Sequence, residues 1–233
     1  MLNKSKFKLP IIICFLACQL VLGILVQTTQ GIANVAISYA CVILACLFMA
    51  LFFENSKSYY LTQVGLICTV MADLFLVVLS PIRQLPAMIF FSVTQICYFI
   101  RLYLNQDKGQ RRIHLIVRGS AVLIALILTI VVLKGNTDAL SLVSLFYYAN
   151  LAINIVFAFM QFKKCPAFAI GLLLFLLCDT IVGLNVMASD YIPIDTGSFI
   201  YKLLNTDLNL AWIFYVPSQA LIGISLAKFK KVK

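Results

Sequence analysis

The 233 residues are 63% apolar and only 11% charged, well above the roughly half-apolar usage of a soluble domain, and a water-soluble fold of this size has no means of hiding so much apolar surface. The net charge of +10 does not point to nucleic acid, because the basic residues stand at the ends of hydrophobic runs and form no patch interleaved with aromatics. The chain therefore reads as an all-α integral membrane protein, with the lipid bilayer as its solvent and its first partner.

Apolar runs of about twenty residues recur along nearly the whole chain, the length that crosses about 30 Å of hydrocarbon at about 1.5 Å per residue. The predicted helices are 9–27, 34–53, 60–80, 86–104, 113–133, 139–161, 167–188 and 209–228, a bundle of about eight in a single polytopic domain. The first follows Lys4, Lys6 and Lys8 and resembles a secretory signal, but its length and the lack of a small-x-small cleavage site favour a retained membrane helix. Breakers or charges fill the gaps: Gln30-Gly31, Glu54 to Lys57, Ser80-Pro81, Gln106 to Gly109, Gly135-Asn136, Cys165-Pro166 and a longer 189–208 segment. Cys14, Cys18, Cys41, Cys46, Cys68, Cys97 and Cys178 fall inside predicted helices, where a thiol behaves as a small apolar group; neither a disulfide framework nor a metal-ligand spacing is visible.

Cytoplasmic flanks of membrane helices carry the excess of Lys and Arg. Eight helices starting inside place fifteen of them on the inner side and only Arg83, Lys134 and Lys202 outside, so both termini are expected in the cytoplasm of a multi-pass cell-membrane protein. The two halves also echo each other. Gly65-Leu66 precedes Asp73 by the interval at which Gly171-Leu172 precedes Asp179, and each fourth helix carries a central glutamine, Gln95 or Gln219. A four-plus-four internal repeat is the arrangement expected of a duplicated even number of spans.

Asp73 and Asp179 are the candidate centre. A carboxyl near mid-bilayer costs on the order of 2.5–3.5 kcal/mol and is tolerated only where it faces the protein interior, although bonding to a neighbouring helix is an alternative role for each. Thr62, Thr69, Asp73 and Ser80 fall on one stripe, and Gly171 and Gly183 flank Asp179, where small residues admit a close partner backbone. Tyr147, Asn150, Asn154 and Gln161 add a polar stripe on the sixth helix, and Gln95, Tyr98, Tyr215 and Gln219 add to it from the fourth and eighth. Two carboxyls meeting in such a chamber share a proton near neutral pH, which makes one an acid and the other a base. No basic residue is expected at their depth, since Arg83, Arg101 and Arg118 fall near predicted boundaries. The single histidine, His114, stands beside Arg111 and Arg112 and reads as solvated or headgroup-facing, so a Ser-His-Asp arrangement has no histidine in place. There is no phosphate-cradling glycine loop and no zincin motif.

The segment Gly65 to Leu76 around Asp73, then Gln95-Ile96-Cys97-Tyr98, Phe175 to Asp179, and Tyr215-Val216-Pro217-Ser218-Gln219-Ala220-Leu221-Ile222 together resemble the YhhN-like lysoplasmalogenase family over nearly the whole chain. The resemblance implies eight membrane helices and hydrolysis of the vinyl ether bond of a lysophospholipid-like small molecule; the residues themselves give no expectation of a cofactor or a metal. Its two characteristic aspartates correspond to Asp73 and Asp179, with Gln95, Tyr98, Tyr147, Asn150, Asn154, Tyr215 and Gln219 as candidates to orient water or substrate. The chain departs from the family pattern at Ala72, Cys178 and Gln95, where Gly, Ser and often His are usual. The same intramembrane carboxyls and apparent repeat also suit a proton-coupled transporter, and the three departures leave room for a lipid-binding relative without catalysis.

Overall fold

The computed structural model describes residues 8–51, 55–133, 137–190 and 195–227. The chain runs as α1 (Lys8–Thr28), α2 (Gly31–Leu51), α3 (Lys57–Asp73), α4 (Gln84–Leu104), α5 (Lys108–Leu133), α6 (Ala139–Met160), α7 (Pro166–Asp190), α8 (Phe199–Leu204) and α9 (Leu210–Ile224). Among the described residues there is no strand, and seven helices are long and apolar enough to cross a membrane. The protein is an all-α, multi-pass membrane bundle. Residues 52–53 and 228 of two predicted helices lie outside the described residues, as do Glu54 and the Gly135-Asn136 breaker.

Short polar side chains set several helix starts. Ser56 accepts from the Tyr59 backbone N–H at 3.2 Å, and Asp138 and Ser141 cap α6 reciprocally, Asp138 Oδ1 accepting from the Ser141 N–H at 2.8 Å; such caps satisfy donors that the first turn leaves unpaired. The last predicted span, 209–228, becomes the 15-residue α9. It ends at Ile224 because the Ser225 N–H reaches back only three residues, to Ile222 O at 3.1 Å, which tightens and closes the last turn. The 189–208 segment is not all loop: α7 extends to Asp190, and the short α8 starts on Ser198.

With lipid tails as apolar as leucine, helices associate by close packing and polar contacts more than by burial. α7 against α9 and α3 against α4 are the most extensive pairings, and each is built on a glycine. A Cβ added at Gly65 would stand 2.5 Å from Tyr98 Cε1, and one at Gly171 would stand 2.9 Å from Ile222 Cγ1 and 3.1 Å from Ser218 O. Tyr98 follows Gln95 by the interval at which Ile222 follows Gln219, so the packing echoes the sequence interval in both halves. Gly183, the second glycine expected to admit a partner, has nothing within 4 Å of where its Cβ would lie. It is exposed, because 12 residues beyond Gly171 it lies about a third of a turn round the helix from the face that meets α9.

Immediately after Asp73 the α3 helix widens into a π-helical stretch, Leu74–Val78, closed by the Leu79 N–H to Leu74 O bond at 3.0 Å. Thr62, Thr69 and Asp73 are buried on one face, while Ser80, expected on the same stripe, is exposed, because the helix ends at Val78 and Leu79 is already extended. All eight cysteines are free thiols.

Candidate active site

Asp73 sits at the junction of the α-helical and π-helical parts of α3, a kind of irregularity that recurs at functional sites. Its carboxyl is buried, and Tyr215 Oη of α9 donates to Asp73 Oδ2 at 2.5 Å. Asp179, midway along α7, retains partial exposure and accepts from Tyr147 Oη of α6. The Phe175 ring, one turn before Asp179, lies 5.5 Å from the ring of Tyr215 and 6.4 Å from that of Tyr147, and Phe91 stacks on Tyr147 at 5.4 Å. Two tyrosine–aspartate pairs are therefore set around one aromatic side chain. The two carboxylates lie within electrostatic range of each other, with the Cys178 thiol within range of both. No hydrogen bond joins them directly, and no Lys or Arg pairs with either, among the described residues.

Tyr39 of α2 is also within electrostatic range of Asp73. It comes eight residues after the start of α2 at Gly31, as Tyr147 comes eight after the start of α6 at Ala139, so the two tyrosines hold corresponding positions in these helices. The match depends on α2 starting at Gly31 and not at the expected 34, so the sequence carries no signal for Tyr39.

Gln95, Asn150 and Asn154 do not reach the carboxyls. Asn154 Nδ2 donates to Gln95 O and to Gln95 Oε1, both at 2.9 Å, and Asn154 Oδ1 accepts from Arg118 Nη2 at 2.5 Å. Arg118 Nη1 donates to Asn150 Oδ1, and Arg118 Nη2 also donates to His114 Nε2 at 3.2 Å. The His114 proton then lies on Nδ1, which donates to Gln106 Oε1 at 2.9 Å. His114 is fully buried and stacked on Phe157 at 3.5 Å, and Arg118 lies over the Phe99 ring at 4.1 Å. The expectation that His114 is solvated or headgroup-facing is therefore corrected. The helix begins at Lys108, earlier than the predicted 113, which carries Arg118 about three turns inside it. Spacing of four residues puts His114 and Arg118 on one face, and that face is the one turned to α6. Arg101 is likewise buried, donating to Thr62 Oγ1 at 2.8 Å and Ser225 Oγ at 3.0 Å over the Phe168 ring.

Tyr98 and Gln219 stand in the core without partners for their polar atoms. Tyr98 Oη, Gln95 Nε2, Ser218 Oγ and both amide atoms of Gln219 are buried and unpaired, a costly arrangement for a protein interior and one suited to water or to polar groups of a ligand. Of the seven predicted orienting residues, then, only Tyr147 and Tyr215 contact the aspartates. Among the described residues no three His, Cys, Asp or Glu side chains converge as a metal-ligand set.

Chemically, the centre offers two carboxyls in a water-poor setting, each with one oxygen held by a phenol and the other oxygen outside that bond. Such a pair can deliver and remove protons on opposite sides of a reacting atom. No curated protein and no solved structure matches this sequence. The model of one family matches residues 35–226, a stretch that takes in Tyr39, both aspartates, Tyr147, Tyr215 and the Arg118 network, and by that match the chain belongs to the YhhN family.

Proposed function

We propose that the protein is a membrane hydrolase that cleaves the vinyl ether bond of lysoplasmalogen-type lysophospholipids, with Asp73 and Asp179 as its acid and base. The observation that carries this reading is the placement of two carboxyls, each bonded to a tyrosine, around Phe175, with no Lys or Arg paired to either among the described residues. One carboxyl, as the acid, gives its proton to the vinyl carbon distant from oxygen, forming a C–H bond and an oxocarbenium ion. The other, ionised, stabilises that cation and takes a proton from water as the water oxygen bonds to the cationic carbon. The hemiacetal then loses its hydroxyl proton to the first carboxylate, while the second carboxyl protonates the departing glycerol oxygen. A fatty aldehyde and a glycerophospho-alcohol leave, one water is consumed, and both aspartates return to their starting states. The logic parallels paired-carboxyl glycoside cleavage, which also passes through an oxocarbenium-like state.

The partial exposure of Asp179 suits lateral entry of a lysolipid from the cell membrane, and the unpaired amide of Gln219 and hydroxyl of Tyr98 suit polar groups of substrate or water. The test is aldehyde release from a lysoplasmalogen by purified protein. Asp73→Asn and Asp179→Asn should each lower the rate by about 10²–10⁴-fold, the contribution typical of a positioned proton donor or acceptor. Variants that keep wild-type rates would remove these residues from the chemistry.

Two observations favour a second reading, proton-coupled transport: α3 changes to π-helix directly after Asp73, and α9 contains Pro217, irregularities of the kind that transporters place at their binding sites. Proteoliposome flux lost in both aspartate variants, with no aldehyde formed by the wild type, would put that reading first.

A further inference from the structure

A second feature lies away from the aspartates. Between α4, α5 and α6 runs a groove of about 430 Å³, within the range of about 300–1,000 Å³ typical of ligand pockets. Its walls are apolar, with Phe99, Val122, Leu126 and Phe146 among them, and its polar lining side chains are Arg118 and Asn150. None of Asp73, Tyr147, Asp179 or Tyr215 lines it.

Arg118 makes this more than a furrow filled by bulk lipid. The side chain is more than nine-tenths buried, in a helix long enough to cross the membrane. Every hydrogen-bond partner it has is neutral: Asn150, Asn154 and His114. Its Nε–H is buried with no acceptor, although a guanidinium has five donors to satisfy. A full positive charge in a water-poor interior is costly until an anion meets it. The face of Phe99 and the two asparagines fix the plane of the guanidinium, and its three bonds leave the Nε–H and one Nη1–H without an acceptor.

We propose that this groove binds a single-chain fatty carboxylate, with the carboxylate on Arg118 and the hydrocarbon chain along Phe99, Val122, Leu126 and Phe146. Two N–H groups without an acceptor suit a small planar head, whereas a phosphodiester with its appended alcohol would need polar surroundings that these walls lack. The site is independent of the reading given to the aspartates.

The test uses the full chain purified in a neutral detergent and titrated with cis-parinaric acid, a fluorescent fatty acid. Saturable binding should be displaced by palmitate and not by hexadecanol, which has the same chain without the charge. Gly119 lies on the groove beside Arg118, and a Cβ there meets nothing within 4 Å, so Gly119→Leu adds an apolar side chain at the groove with its first atom unobstructed. Gly119→Leu and Arg118→Gln should each weaken binding about tenfold or more, the loss expected for a blocked or broken charge-assisted hydrogen bond, while Asp73→Asn binds as the wild type does. Should Arg118→Gln unfold, Gly119→Leu alone decides. Displacement by hexadecanol as effective as by palmitate, displacement by lysophosphatidic acid but not palmitate, or unchanged binding in Gly119→Leu would overturn the proposal.

Discussion

Tyr147 and Tyr215 are the residues through which the bundle holds its two carboxyls. Each comes from a different helix than the aspartate it serves, so the geometry of the pair depends on how α6, α7, α3 and α9 pack. A hydrogen bond to a charged group contributes about 1.5–3 kcal/mol. Tyr147→Phe and Tyr215→Phe should therefore lower kcat for aldehyde release by roughly 10- to 100-fold, with KM much less affected and the melting profile retained. A large KM change at constant kcat would mean that these phenols bind substrate instead. Far from the bilayer core, Asp138 offers a separate test. The Ser141 N–H and hydroxyl that cap α6 hold its carboxyl below the ordinary value of 3.8, so its stabilising contribution is present above that value and is lost as pH falls through the lowered one. Thermal unfolding of Asp138→Asn, which can still cap but carries no charge, should show a shallower fall in midpoint with acidification below about pH 4 than the wild type.

Much of this centre is legible in the sequence. A carboxyl in an apolar run is expensive enough that its inward direction follows from the residue type alone, and Asp73 behaves accordingly. The partners of polar residues are less legible. Position along a helix gives depth, but the rotation that decides whether Asn150 meets Asp179 or Arg118 is set by neighbouring helices, and this is invisible for α5, whose apolar residues surround it on most sides. A span starting at 113 leaves His114 and Arg118 near its boundary; the helix itself starts five residues earlier, at Lys108.

Among the helices, the two glycine-centred contacts are the tightest joints. Gly65→Ala drives a methyl against the Tyr98 ring, which Phe168 already backs at 5.2 Å, and Gly171→Ala meets both the Ser218 carbonyl and Ile222. Each should cost about 1–3 kcal/mol, as overpacking does. Gly183→Ala, by contrast, meets open space and should be neutral or stabilising by up to about 1 kcal/mol through helix propensity. Thermal unfolding in detergent orders the three, and equal effects would contradict the packing described. In sequence, Gly171 and Gly183 are indistinguishable, because both flank Asp179 on one helix. The π-helical stretch is likewise hidden, since Leu74 to Val78 is an unbroken apolar run with no Pro or Gly to announce it; Ser80 leaves the predicted stripe because the helix ends two residues before it, at Val78.

For the molecule as a whole, the positions of the long helices follow almost directly from the length of each apolar run, because the bilayer imposes one thickness on all of them. α9 is the departure. Its 15 residues rise about 22 Å at about 1.5 Å each, short of the about 30 Å hydrocarbon core, and it is supported along its length by α7. If α9 completes the eighth crossing, as the charge distribution requires, reporter fusions at the two ends of the chain should both score as cytoplasmic; ends on opposite sides would reduce the crossings to an odd number. The functional claim rests on proton delivery to carbon from the aspartate pair. It is tested most directly by incubating a lysoplasmalogen with purified protein in D2O and trapping the fatty aldehyde at once for mass spectrometry. One deuterium on the carbon next to the carbonyl is predicted for the wild type, with aldehyde formation collapsing in both Asp73→Asn and Asp179→Asn; aldehyde lacking that deuterium, or formed undiminished by either variant, would contradict the account.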